Sequence, residues 1–591
     1  MAPPAPPTRI RGPRGGRFAP QFVPISMALE IALVAVVVFL RGRALIRADP
    51  TDFDDAYMYL RYANNALAGE WLVWNRGQPP AYGVTSLLHL ALVTAIRGVL
   101  PGLGAAAVLQ LASGGAALLL LAGLATVCAR FGTSARRDRC RAFLFWAALL
   151  SVGLGFREAF FFHAHSGMDT MLAALANTGV VYAALWVAEQ PSPARALVMA
   201  AVGMVAVEAR ADNVIVASLC PLLALAWSRQ ASRARALAIW AVAFAGLVLV
   251  DVALKWRLLG TPLPLSFYAK QPGYYRGFAG EFSWDPYLFL EVALGSVSPF
   301  LVATVLFSGR KTFPLSSTLL APAVATMAAL FSVNQIMGHL GRFYFPSLPL
   351  MVLAGALSAE RWFEELPGAP ASPGDLDSGW TRLGRGLLGR PAWLLRLSCA
   401  LVALLGGDRV LEAAGRRYER RAQTQVLSPL DGPCVPEAVA LPELDSWRAS
   451  QEISELALQS PPGTTLALSE HGLVGARAPA AVLIDVLGLH DRVFAREGFT
   501  ANELWRRLPD AIWMPHPDHT QMLHDIVDSD QLWDHYVFYP DAFTYGLALR
   551  HDGPRYGALA FLLQERWRAT YPGFRLEDYV ARRRTPDGGC P

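Results

Sequence analysis

DFDDAYMYLRYANN, residues 52–65, follows a long apolar block from Met27 to Ile46. It sets three acids, Asp52, Asp54 and Asp55, at the foot of a short amphipathic helix that carries Arg61 about two turns further on. Carboxylates this close to a bilayer are costly unless they face water or a partner, so their default role is functional. The structural alternative is capping of the helix after a membrane span, for which Asp is a common residue. The surrounding chain weighs against capping alone.

The 591 residues are 53% hydrophobic and only 17% charged, against about 25% charged in soluble domains, and mean hydropathy is +0.32. The apolar residues come in blocks of bilayer-spanning length, which makes this a polytopic helical membrane protein. The net charge of +5 does not signal nucleic-acid binding, because the basic residues sit in short loops between apolar blocks and set orientation there. A basic, Pro/Gly-rich tail (1–26, with Arg9, Arg11, Arg14 and Arg17) reads as disordered and cytoplasmic. The block after it is long for a signal peptide and lacks a small-residue cleavage site, so it reads as an uncleaved anchor.

Apolar blocks recur near 27–46, 84–100, 105–128, 142–158, 169–188, 195–209, 212–228, 236–256, 286–307, 315–337, 343–358 and 392–409. The Arg-rich loops at 129–141, 229–235, 309–311 and 359–391 belong in the cytoplasm with the tail. Counting every block as a span puts 129–141 outside. One correction repairs this: 84–100, which contains His89 and Arg97 and ends at Pro101-Gly102, lies in the outer interface. Eleven spans remain. A transmembrane domain then covers 27–410, with its first outer loop at 47–104, and an exported domain covers 411–591.

With this parity, Asp54, Asp55, His163, His165, Asp169, Arg210, Asp212, Lys270, His339 and Arg342 all fall on the outer side. Structural ion pairs would be spread over both faces. A pair of carboxylates ringed by cations suits group transfer from an anionic leaving group: one carboxylate deprotonates an acceptor hydroxyl while Arg, Lys or His stabilises the departing phosphate. Lys270 is one of only three lysines, with Lys255 and Lys311; an interfacial, snorkelling lysine is the alternative. His163 and His165 are two apart, which is not helical ligand spacing. An aromatic belt with polar tips is the first reading of that segment, and a metal held with Asp169 the second. Arg210 and Asp212 also suit a structural pair at a membrane edge. No cofactor is demanded, and a divalent metal is the one addition the acids admit. P-loop, Rossmann, HExxH and GxSxG patterns are lacking, as is any internal repeat.

The stretch DDAYMYLRYANNALAGEWLVWNRGQPPAYGVTSLLHLAL, from Asp54 onward, resembles the first outer loop of the polytopic GT-C glycosyltransferases, in particular the mycobacterial-type terminal arabinofuranosyltransferases. The matching features are Asp54-Asp55-Ala56-Tyr57, Arg61, Gly69 to Gly77 and Tyr82 to Ser86. Ser166 to Thr170, Arg210-Ala211-Asp212, Gly260 to Lys270, Arg342-Phe343 with Pro346 and Pro349, Glu470-His471-Gly472 and Ile484 to Leu489 resemble later family segments in the same order. Asp169 stands where Glu is usual, Ala211 replaces a Pro, and Leu265-Ser266 interrupts an Asn-Thr pair, so arabinofuranose is not assured. The resemblance implies a GT-C fold and an inverting transferase in a bacterial plasma membrane. It implies a polyprenyl-phosphate sugar donor, a cell-envelope glycan or glycolipid acceptor, and a base from Asp54 or Asp55. Arg61, Lys270, His339 and Arg342 are the phosphate candidates, and Asp169, Arg210, Asp212, His163 and His165 the substrate or second-acid candidates. A lipid-linked glycan flippase, or a scaffold with an exported binding domain, are the rival functions.

In the C-terminal region, TTLALSEHGLVGA and AAVLIDVLGL read as buried strands, while ANELWRRL and HTQMLHDIVD read as helices, giving an α/β domain. Trp505, Trp513 and Trp533 are either sugar-stacking faces or, more ordinarily, core residues. Pairing of Cys434 with Cys590 and two free thiols both stay open, since sequence separation does not report distance.

Overall fold

The computed structural model describes residues 53–132, 139–154, 157–270, 286–307, 312–331, 335, 338–364, 441–581 and 583. The tail 1–26, the blocks at 27–46 and 392–409, Asp52, Lys311, Cys434 and Cys590 lie outside the described residues.

α1 (Asp54–Leu67) is the amphipathic helix expected after the first block. α2 (Leu87–Val99) starts at Ser86, whose Oγ accepts the His89 N–H at 3.0 Å. Its thirteen residues reach about 20 Å, short of the ~30 Å hydrocarbon core. The bundle continues with α3 (Ala105–Phe131), α4 (Arg139–Gly153), α5 (Glu158–His165), α6 (Thr170–Glu189), α7 (Pro193–Ala209) and α8 (Val214–Trp227). α9 (Arg233–Leu259), α10 (Leu265–Ala269), α11 (Pro286–Phe307), α12 (Phe313–Leu330) and α13 (Leu348–Glu364) complete it.

Six of these segments are long and apolar enough to cross a membrane. α9 buries Ala236, Trp240 and Phe244 and exposes Val242, Leu249, Val250 and Leu254, the composition of a lipid-facing helix.

The segment REAFFFHAHSGMDT contains α5 at Glu158–His165, while α4 stops at Gly153. The blocks at 195–209 and 212–228 are two helices, as counted from the sequence: Arg210 is extended, a short 3-10 turn covers Ala211–Asn213, and Asn177 Nδ2 donates to Asn213 Oδ1 at 2.8 Å to hold it.

The C-terminal unit contains α14 (Ser446–Gln459), β1 (Thr465–Leu468), α15 (Gly472–Arg477), β2 (Val482–Asp485), α16 (Arg492–Glu497), α17 (Ala501–Arg507) and β3 (Ala511–Trp513). It continues with α18 (Thr520–Val527), α19 (Asp530–His535), β4 (Tyr536–Tyr539), β5 (Leu547–Arg550) and α20 (Tyr556–Thr570). The five-stranded sheet runs β2-β1-β3-β5-β4. β1 is parallel to β2 and β3, whereas β5 is antiparallel to β3 and β4. Only TLAL and VLID of the two expected strand segments are strand; EHGLVGA turns out and forms α15. Trp505 and Trp513 are buried, and the Trp533 indole donates to the Val527 carbonyl, so all three belong to the core reading rather than to a sugar platform.

One apolar core unites Tyr57, Leu60 and Val93 of the first loop with Leu466, Leu483, Leu563 and Trp567 of the C-terminal unit. The contact is tight at Gly472, where a Cβ would lie 1.9 Å from the Asp54 carbonyl oxygen. Gly472→Ala is therefore expected to destabilise this union by about 3 kcal/mol. Hydrogen exchange should show faster exchange across 472–478, with residues 520–535 unchanged; equal protection throughout would contradict it.

Candidate active site

Asp54 and Arg61 lie seven residues apart and so share a face of α1. That face receives α15. The Asp54 carboxylate accepts the N–H of Gly472 (Oδ2, 2.7 Å) and of Leu473 (Oδ1, 2.8 Å) at the start of the short helix. At its other end the Arg61 guanidinium donates to the carbonyls of Gly475, Ala478 and Ala481 at 3.0, 3.1 and 2.9 Å. The remaining Arg61 donors reach Trp74 O (2.6 Å) and Asn75 Oδ1 (2.9 Å). An acid sits at the positive end of a helix dipole and a base at the negative end. Arg61 is buried with every N–H engaged. It therefore has no donor left for a phosphate, which corrects the role expected from its sequence position.

Asp55, one residue on, points into a different environment. Arg342 Nη1 donates to its Oδ2 at 3.0 Å. Burial by itself would push Asp55 up, but Arg342 and Lys270 outweigh it and hold the carboxyl below its ordinary range. Asp54 behaves oppositely: burial dominates, opposed by His471 and the two N–H donors, and the group titrates above its ordinary value. The two neighbouring acids are thus driven apart.

The cations gather around Phe343. Arg210, Lys270 and Arg342 lie 5.4, 5.4 and 5.8 Å from its ring centroid, each within cation–π range. Burial pushes Lys270 down to about 8 against the pull of Asp55. Arg342 also lies 5.2 Å from the Phe53 ring, and its buried Nε has no hydrogen-bond partner among the described residues. The turn that delivers it is sharp: Leu340 takes φ 49° and Gly341 φ 73°. A leucine in the left-handed region is strained, a feature concentrated at functional sites.

Asp169 completes the polar wall. Its Oδ2 accepts the Thr85 hydroxyl at 2.7 Å, Thr85 lies 3.2 Å from Tyr59 Oη, and its buried Oδ1 has no partner among the described residues. Arg210 pairs with Asp212 at 2.9 Å and donates to the Arg342 carbonyl at 3.4 Å. The structure therefore brings Asp55, Asp169, Arg210, Asp212, Lys270 and Arg342 together. The histidines engage other partners. His163 is fully buried, contacts the Leu340 carbonyl at 3.2 Å, and is pushed down to about 3 by burial, hence neutral. His165 Nδ1 lies 2.8 Å from Phe161 O on its own helix, and the metal reading with Asp169 finds no support, because the donor atoms that converge among the described residues are those of His471, Asp485 and His490. His339 packs edge-on against Phe53 at 5.8 Å, beside the site. Lys255 is held between Glu208 and Asp251, both at 2.7 Å, and is a structural cation.

Glu470 is a group the sequence reading matched only by motif. It titrates well above its ordinary value, through burial first and then the charges of Asp54 and Asp55. Its carboxyl borders the same site, and no spacing rule links residue 470 to residue 54.

No family model matches the sequence, and no curated protein matches it. Among solved structures, the crystal structure of ArnT from Cupriavidus metallidurans bound to undecaprenyl phosphate superposes with a TM-score of 0.50 at 14% identity, covering 88% of this chain and 97% of that one. The chain is similar in fold to ArnT. The apo-state structure of ArnT matches with a TM-score of 0.49 at 14% identity, covering 89% and 98% of the two chains. The architecture is accordingly a polytopic helical domain with an ArnT-like fold, followed by a C-terminal domain built on a small sheet.

Removing one partner of the Asp55–Arg342 pair leaves a largely buried charge uncompensated, which is the costly half of breaking such a pair. Arg342→Met is expected to destabilise by about 3 kcal/mol, and adding Asp55→Asn to recover 1 kcal/mol or more of that, roughly. Thermal unfolding of the four proteins in detergent closes the cycle; purely additive effects would mean that the pair does not interact energetically.

Proposed function

We propose that this protein is a membrane glycosyltransferase that moves a sugar from a polyprenyl-phosphate donor to a hydroxyl of a cell-envelope glycan, with inversion, on the non-cytoplasmic face of a bacterial plasma membrane. One observation carries the reading: a depressed carboxyl, Asp55, is set against the cations Arg342 and Lys270, beside an arginine, Arg210, that shares the Phe343 ring with both of them. The shared fold with a protein crystallised with undecaprenyl phosphate supports the donor class. The sequence resemblance names arabinofuranose as the first sugar to try. A lipid-linked sugar also fits a site served from outside the cytoplasm, where nucleotide sugars are not supplied.

In this mechanism Asp55 is the base and Asp54 the anchor. Arg342, Lys270 and Arg210 bind the donor phosphate, Arg as a fork and Lys as a point charge. When Arg342 turns to the phosphate, Asp55 loses its ion pair and becomes more basic. Asp55 then takes the acceptor hydroxyl proton as that oxygen attacks the anomeric carbon, and the C–O bond to the phosphate breaks with its electron pair leaving on the phosphate oxygen. Asp169, linked to Thr85, sits where it can position the sugar or the acceptor. Donor binding thus activates the base it needs.

The deciding experiment is transfer of labelled sugar from a panel of synthetic polyprenyl-phosphate donors by purified wild-type, Asp54→Asn and Asp55→Asn proteins. Asp55→Asn is expected to lower kcat by about a thousandfold with donor binding kept. Asp54→Asn should lose stability first and less than about tenfold in kcat. The reverse order would make Asp54 the base, and activity retained by both would reject the mechanism.

A pH dependence follows from Lys270. Its ammonium is charged below about 8 and neutral above, so kcat/KM should fall as pH rises through about 8. Because Asp55 titrates below the ordinary carboxylate range, the acid limb should lie lower than an unperturbed Asp would place it. Lys270→Arg should remove the alkaline limb; an unchanged profile would free Lys270 from the donor site.

A further inference from the structure

Behind Asp54, at the carboxyl ends of the parallel strands β1 and β2, three buried side chains converge. Asp485 ends β2 opposite Leu468, the last residue of β1, His471 follows β1 by three residues, and His490 follows β2 by five. His471, Asp485 and His490 can each present one donor atom within 4.8 Å of the other two. They are 2%, 1% and 5% exposed. Loops at the carboxyl ends of parallel strands are where α/β sheets build ligand sites.

The protons can be traced. Tyr62 Oη donates to Ala81 O at 3.0 Å, so in its 3.0 Å contact with His490 Nδ1 the ring nitrogen is the donor. The His490 Nε2 lone pair then faces the Met58 sulfur at 2.7 Å, two electron-pair donors against each other. His471 Nδ1 lies 2.7 Å from the Ser469 carbonyl and donates to it, which leaves Nε2 with a lone pair, buried and without a hydrogen-bond partner among the described residues. The His490 ring is fixed between a stacked Trp74 (centroids 3.8 Å apart, 9° between planes) and the backbone of Gly83, where a Cβ would fall 1.9 Å from Nδ1. Two imidazoles, with His471 Nε2 lacking a hydrogen-bond partner among the described residues, stand beside a carboxylate whose oxygens accept the Leu487 and His490 N–H groups and a thioether within reach, a donor set that a cation would complete.

We propose that His471, Asp485 and His490 bind a late divalent transition-metal ion, of which zinc is the ordinary example, with Met58 as the soft neighbour from α1. Two imidazoles and one carboxylate are a zinc donor set. Ligand atoms about 2.0–2.1 Å from zinc stand roughly 3.4 Å from one another, so the set would contract by up to about 1.4 Å while the Met58 sulfur draws back from Nε2 to admit the ion. The ion would tie the edge of the sheet to α1, next to the Asp54 cap, and so hold the C-terminal unit on the catalytic helix. It is separate from the Asp55 site and takes no part in transfer chemistry.

The test uses the full-length protein in detergent, stripped with a chelator and returned to Zn²⁺ or Co²⁺. Elemental analysis after gel filtration is expected to give a single ion per chain. The Co²⁺ form should show the intense visible bands of a four-coordinate site, and Zn²⁺ should raise the thermal midpoint of the stripped protein. His471→Ala and Asp485→Asn should weaken uptake at least about tenfold, while the surface change His524→Ala should not. Should the alanine variant fail to fold, His490→Gln and the wild-type titration still decide the matter. Stripped wild type that takes up neither ion at micromolar concentrations overturns the proposal, as does equal uptake by wild type and the ligand variants.

Discussion

A short helix of six residues, α15, is held at both ends by charges that belong to another part of the chain, and much of the molecule depends on that grip. A helix this short leaves most of its backbone N–H and C=O groups without intrahelical partners. Asp54 and Arg61 answer them from one face of α1, with signs that also complement the helix dipole. Because the same helix carries Asp55 into the cation cluster, the position of the candidate base is referenced to the C-terminal sheet as much as to the membrane helices. The continuous apolar core from Tyr57 to Trp567 fills the space between these polar clamps.

The site illustrates how adjacent residues of one kind acquire different chemistry. Asp54 and Asp55 differ by a rotation of about 100° on a helix. One faces backbone N–H groups and a histidine in a buried interface, the other faces guanidinium and ammonium groups. Environment separates their proton affinities in opposite directions, the usual way in which two carboxyls divide structural and chemical work. Phe343 plays a less obvious part, since its ring gives three cations one shared aromatic face.

Much of this was legible in the sequence for simple reasons. Spans betray themselves by length and hydropathy, and nine of the eleven expected ones coincide with described helices, the other two lying outside the described residues. The grouping of Asp55, Asp169, Arg210, Lys270 and Arg342 followed from loop parity, because ionisable residues embedded in apolar sequence had to converge somewhere. What was not legible is long-range pairing. Arg61 looked like a phosphate ligand because a cation near an acid pair suggests one; only the fold reveals carbonyls of residues 475–481 around it. The grouping of His471 with Asp485 and His490 was not legible for the same reason, since the neighbours Asp485, Met58 and Tyr62 are set by β1–β2 register and by docking on α1, neither of which has a periodic signature. The strand expected across TTLALSEHGLVGA ended early because Gly472, a residue that fits beneath the Asp54 carbonyl, opens a helix there.

The bond between Asp54 and Gly472 spans 418 residues of chain. At ribosomal speeds of about 5–20 residues per second, roughly 20 to 80 s separate the synthesis of the two partners. Throughout that interval the membrane helices can insert and assemble, yet the acid beside the candidate base has nothing to hold. A chain cut short between Phe343 and α15 would carry the whole cation cluster and lack the wall that fixes it. The candidate site is thus a late product of synthesis: its wall takes shape only after the C-terminal unit has been made and has folded back on the first loop.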